Sequence, residues 1–86
     1  MNLNELRNEI DDIDQQMMEL FKKRMAVAKQ IGKVKRAMGL PIFDQTREKI
    51  LLEKREVALN DEALWPAYRS FLVKLFELSK EWQHHE

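Results

Sequence analysis

Leu3, Leu6, Ile10, Ile13, Met17, Leu20, Arg24, Val27, Ile31, Val34 and Met38 recur at alternating steps of three and four residues. Ten of these eleven positions are apolar, and the exception is Arg24. A 3-4 alternation held without a slip specifies one long helix with a single apolar seam. A seam this strict calls for a partner helix. An arginine within it is costly unless an anion or a paired acid meets it there.

The first helix is expected from about Asn4 to Met38, roughly 50 Å at 1.5 Å per residue. Gly39 followed by Leu40 and Pro41 is a stop signal. The rest of an 86-residue chain is too short to cover such a helix. The expectation is therefore an intertwined antiparallel homodimer. A second helix begins near Asp44, a good N-cap residue, carries Ile50, Leu51, Leu52 and Val57, and fades before Asn60-Asp61. A third starts around Leu64 to Pro66, where proline is tolerated. It carries Tyr68, Leu72 and Phe76 on one face, with Phe71, Leu75, Leu78 and Trp82 beside it. No β alternation of useful length interrupts this pattern. The fold class is all-α, three helices in a single domain spanning residues 1–86.

Fifteen Lys and Arg balance fifteen Asp and Glu, giving a formal net charge of +0. That weighs against nucleic-acid and membrane-surface binding, which want a basic excess. The short basic clusters Lys22-Lys23-Arg24 and Lys33-Val34-Lys35-Arg36 are diluted by acids. There are no cysteines, which excludes disulfides and thiolate metal sites. His84 and His85 are adjacent rather than one turn apart, the wrong spacing for a helical metal site. Met1 to Asp12 lack a signal-peptide core, and no apolar run reaches spanning length. A cytoplasmic protein without metal or cofactor is expected.

The candidate site starts from Arg24. Lys35 lies eleven residues on, on the same face and about 16 Å along the axis, so the pair can bracket a small metabolite. Arg7 flanks the same seam but lies about 25 Å from Arg24. If two antiparallel copies cross near Met18, Arg7 of one arrives between Arg24 and Lys35 of the other, and symmetry makes two such sites. In the third helix the stripe turns polar at Ser79 and Gln83, one turn apart, which suggests a buried polar pocket. Asp44, Arg47 and Glu48 open the second helix, whose free N–H groups suit anions.

Each residue also has a plainer reading. Arg7 and Lys35 suit a solvated flank, and Arg24 could reach out past Phe21 or pair with a glutamate. Asp44 serves equally as N-cap or ligand contact. Arg47 could pair with Glu48 or Glu81. Ser79 could bond back to the carbonyl one turn earlier, and Gln83 could be surface. Met17, Met18, Met25 and Met38 read as core fillers. Gly32, inside the first helix, costs about 1 kcal/mol relative to alanine, and close packing is the only account of it that the sequence offers.

Taken in order, four segments carry a resemblance: Leu6 to Asp14, then Arg24 with Ile31-Gly32-Lys33-Val34-Lys35, then Asp44-Gln45-Thr46-Arg47-Glu48, and Glu77-Leu78-Ser79 with Gln83. Over nearly its whole length the chain resembles the all-helical chorismate mutases, the AroQ class. The resemblance implies a Claisen rearrangement of chorismate to prephenate, within aromatic amino-acid biosynthesis. It implies that Arg24 and Arg7 of a second subunit grip the substrate carboxylates. Lys35 and Gln83 would contact the ether oxygen. Glu48, with the backbone near Asp44, would receive the ring hydroxyl. Ser79 would assist a carboxylate, and Arg47 would lie at the site in a partly structural role. Lys35, Gln83, Arg24 and Glu48 are thus the expected catalytic set.

Such a rearrangement is unimolecular and needs no base, nucleophile or metal. It needs a dianion held compactly and donors aimed at the oxygen that gains charge. Arginine suits bidentate carboxylate recognition and lysine a point contact. Two other readings compete. A non-catalytic helical dimerisation or regulatory module predicts an acidic partner for Arg24 and a filled site. An isochorismate-pyruvate lyase of the same fold is disfavoured by Asp44, Arg47 and Glu48 occurring together, a set those relatives lack.

Overall fold

The computed structural model describes residues 1–85. It contains three helices, α1 (Leu3–Met38), α2 (Gln45–Leu59) and α3 (Trp65–Gln83), and no strand among the described residues. The 36 residues of α1 set the 54 Å long axis of the molecule. α1 begins slightly before the expected Asn4. Asn2 Oδ1 accepts from the Glu5 amide at 2.9 Å, and the Glu5 carboxylate accepts from the Asn2 amide at 3.3 Å. This reciprocal cap satisfies two amides that the first turn leaves unpaired. At the other end Gly39 takes φ 68°, a left-handed conformation that glycine adopts without a Cβ penalty. Leu40 N–H then bonds the Lys35 carbonyl at 2.8 Å, closing the helix.

Asp44 is the N-cap of α2, its carboxylate accepting from the Arg47 amide at 2.9 Å. Asn60 ends that helix with φ 50°. Asp61 accepts from the Leu64 amide at 3.0 Å and shapes the turn into α3. Pro66 lies in the first turn of α3, where no intrahelical N–H is required.

α3 packs against both other helices. Its buried residues are Leu72, Phe76, Ser79 and Gln83, and the buried residues of α1, against which it packs, are Met25, Ala28 and Gly32. These three α1 residues lie one position beyond the seam residues Arg24, Val27 and Ile31, about 100° around the helix. α3 therefore docks beside the seam and leaves it open. Leu3 is 59% exposed and Ile10 56% exposed. Of the methionines expected to fill the core, Met25 is buried within the protomer, while Met17, Met18 and Met38 are exposed in it, because they lie on faces that α3 does not reach. In α2, Leu51 and Leu52 are half-buried while Ile50 and Val57 face outward. None of the three helices is long and apolar enough to cross a membrane, among the described residues.

Candidate active site

The three helices enclose a cleft of about 470 Å³ at the C-terminal end of α1. α1 contributes Arg24 and Lys35, the start of α2 contributes Asp44, Arg47 and Glu48, and α3 contributes Ser79, Lys80 and Gln83. Val27, Ile31, Ile42, Leu51 and Phe76 form apolar walls. Seven of the eight site residues expected from the sequence thus meet at one place. Arg7 does not join them, lying on the exposed N-terminal part of α1.

Arg24 is half-buried, and its Nη1 donates to Ser79 Oγ. Its guanidinium carbon stands 6.0 Å from the centre of the Phe76 ring. Burial first, and then the nearby Arg55 charge, lower its pKa from the ordinary guanidinium value, with Tyr68 opposing. Arg24 forms no ion pair among the described residues, so neither a glutamate partner nor an outward path past Phe21 explains it. Arginine keeps its proton regardless, so the cleft holds a charge whose solvation is incomplete. That is a favourable place for an anion.

The other side chains follow from their elements. Lys35, in the last turn of α1, donates to the Ile42 carbonyl at 2.9 Å and ties down the loop before α2. Asp44 proves to be both N-cap and cleft wall. Arg47 is exposed at the rim and pairs with neither Glu48 nor Glu81, among the described residues. Glu48 instead meets Lys80, whose Nζ lies 3.1 Å from its Oε2. Ser79 is buried and accepts from Arg24 rather than bonding back along its own helix. Gln83 is 9% exposed, which removes the surface reading, and its Oε1 is buried without a partner among the described residues. An amide left with unused hydrogen-bonding capacity in a cleft suits a ligand better than an apolar filling.

Lys80 was not among the expected residues. It follows Ser79 directly and so falls off the stripe that singled out Ser79 and Gln83. Its ammonium stands 4.4 Å from the centre of the Phe43 ring as well as beside Glu48. No local pattern announces those contacts, because both partners come from a different part of the chain. With Lys80 included, four cations and two carboxylates line the cleft, a net formal charge of +2. That balance complements a small dianion. A second groove of about 460 Å³ runs from Arg24 toward the N-terminus of α1. Met17, Met18, Leu20, Phe21, Phe71 and Leu75 make it almost wholly apolar.

Residues 6–84 match the family model described as chorismate mutase type II. A bifunctional chorismate mutase/prephenate dehydratase of Aquifex aeolicus is 37% identical across 92% of this chain, which spans 24% of that protein. A chorismate mutase of Methanocaldococcus jannaschii is 36% identical across 60% of this chain, which spans 52% of that protein. A solved structure, a conserved hypothetical protein from Pyrococcus furiosus, superposes with a TM-score of 0.78 at 39% identity, covering 95% of both chains. The chain thus spans about half or less of these two curated relatives. The chain belongs to the chorismate mutase type II family.

Proposed function

We propose that the protein is a chorismate mutase, catalysing the rearrangement of chorismate to prephenate in aromatic amino-acid biosynthesis. The observation that carries this reading is the convergence of Arg24, Lys35, Glu48, Ser79 and Gln83 on one cleft of net positive charge. In the reaction the ether C–O bond breaks as a new C–C bond forms, and no proton is exchanged. The protein's task is to hold the dianion in the reactive conformation and to stabilise charge on the departing oxygen. Arg24 grips a carboxylate, assisted by Ser79. Lys35 and Gln83 donate to the ether oxygen, so Lys35 exchanges the Ile42 carbonyl for substrate. Glu48, oriented by Lys80, accepts the ring hydroxyl near the Asp44 backbone, and Arg47 closes the rim.

The same reading makes the protein an antiparallel homodimer, with residues 1–86 as one catalytic domain acting in the cytoplasm. Arg7 of the partner subunit then completes the carboxylate grip. The open seam and the apolar groove beside Arg24 support a second copy, since together they leave a long apolar face without cover in one protomer. A non-catalytic module is disfavoured by an Arg24 that has no acidic partner among the described residues and a cleft its neighbours do not fill.

Loss of chorismate, followed by its ultraviolet absorbance with purified protein and no added cofactor, tests the proposal. Saturable loss with prephenate as product is expected. No conversion by folded protein would reject it, and release of pyruvate from isochorismate would assign the lyase instead.

A further inference from the structure

Gly32 stands inside α1, in its C-terminal part, where glycine is less favourable than alanine. Its place is explained by the main chain it faces. A Cβ at Gly32 would lie 1.9 Å from the Gln83 carbonyl oxygen, 2.7 Å from its carbonyl carbon and 2.8 Å from its Cα. All three are backbone atoms, so no rotamer change makes room. One turn further along α1, Arg36 Nη1 donates to the same carbonyl oxygen at 2.6 Å. Gln83 is the last residue of α3, so its carbonyl belongs to the set that the helix leaves unpaired. A cation there satisfies both the free acceptor and the negative end of the helix dipole.

We propose that Gly32 and Arg36 are positioning residues that set where the Gln83 amide stands in the cleft. Gly32 permits the close approach of the two backbones and Arg36 fixes it. Gln83 Oε1 has no partner of its own among the described residues, so the main-chain anchor governs the location of that side chain. Arg36 does not line the cleft, and its influence passes through the Gln83 carbonyl. The proposal rests on the reading of Gln83 as a donor to the ether oxygen.

Steady-state kinetics of chorismate rearrangement on Gly32→Ala, Arg36→Leu, Arg36→Lys and Gln83→Ala, alone and combined with Gln83→Ala, test it. A misplaced donor to the departing oxygen lowers kcat and leaves KM within about twofold, because ground-state carboxylate contacts persist. Gly32→Ala is expected to lower kcat about a hundredfold, as a displacement near 1 Å does. Arg36→Leu, which removes one charge-assisted hydrogen bond at an exposed position, is expected to lower it about tenfold. Arg36→Lys should recover most of that loss. In the Gln83→Ala background neither substitution should lower kcat further. If Gln83→Ala is impaired while Gly32→Ala and Arg36→Leu keep full kcat, positioning is rejected and the donor role stands. Losses that multiply fully with that of Gln83→Ala also reject it, as general structural damage. A Gln83→Ala protein with undiminished kcat rejects the donor role and the proposal with it. Should Gly32→Ala not fold, the Arg36 variants alone decide.

Discussion

Replacing Arg24 with methionine should separate activity from stability. Among the described residues the guanidinium makes one hydrogen bond, to Ser79, and lies over Phe76. Against these stand the desolvation and the Arg55 charge that lower its pKa. A lowered pKa means that folding disfavours the charged form. The sign follows: the penalty is present at every pH below the folded pKa, hence undiminished throughout the neutral range, and a bound carboxylate offsets it. Methionine keeps much of the volume, restores apolar contact with Phe76 and removes the charge. Exchange of a partly buried ion for a packed hydrophobe is often neutral or stabilising. Loss of one charge-assisted hydrogen bond costs about 1.5 kcal/mol at least. The two effects roughly cancel, so Arg24→Met should stay within about 1 kcal/mol of the parent in a guanidinium titration. Loss of the carboxylate grip, about 1.5–3 kcal/mol, should lower kcat/KM by roughly 10- to 150-fold. Ultraviolet assay of chorismate and denaturation monitored by circular dichroism measure the two. A variant that keeps near-parental turnover, or one destabilised by more than about 2 kcal/mol, would show that Arg24 serves the fold.

The open seam gives a second expectation: sedimentation equilibrium at micromolar concentration should find a dimer, and an active folded monomer would contradict it. A wild-type kcat nearly flat from about pH 6 to pH 8 is the third, since the rearrangement itself exchanges no proton. Gln83→Glu should convert that plateau into a profile that falls as pH rises, because burial raises a carboxyl pKa and only the protonated acid donates; a tenfold change in the wild type over that range would reveal a missed titrating residue. A saturating substrate-like dicarboxylate should stabilise the parent by about 2.7 kcal/mol per site at a hundredfold excess over Kd. Arg24→Met should lose most of that gain, and an equal thermal shift in both proteins would place the anion elsewhere.

The helices were legible because their signals are local. Periodicity marks α1, and Gly39, Asp44, Asn60 and Pro66 mark the boundaries. α1 begins at Leu3 rather than at about Asn4 because Asn2 and Glu5 cap it reciprocally, a signal that lies outside the apolar period. The polar turn of the α3 stripe located Ser79 and Gln83, since the helical period puts them on the face that carries Phe76. What could not be read was the register of α3 on α1, a tertiary quantity. That register buries Met25 rather than Met17, Met18 or Met38. It brings the Gln83 backbone onto Gly32, and it places Lys80 between Phe43 and Glu48. Arg7 differs in kind, because its expected place at the site requires a second copy of the chain.

A site shared between two copies has one direct signature. Arg7→Ala and Arg24→Ala proteins, each strongly impaired alone, are mixed under conditions where subunits exchange, and chorismate turnover is measured against that of each variant by itself. In a heterodimer one site unites the intact Arg24 of the first chain with the intact Arg7 of the second, while the other site lacks both. Random exchange makes about half of the dimers mixed, so about a quarter of the wild-type activity should return. Demonstrated exchange with no recovery of activity would contradict a chorismate mutase site built from both protomers.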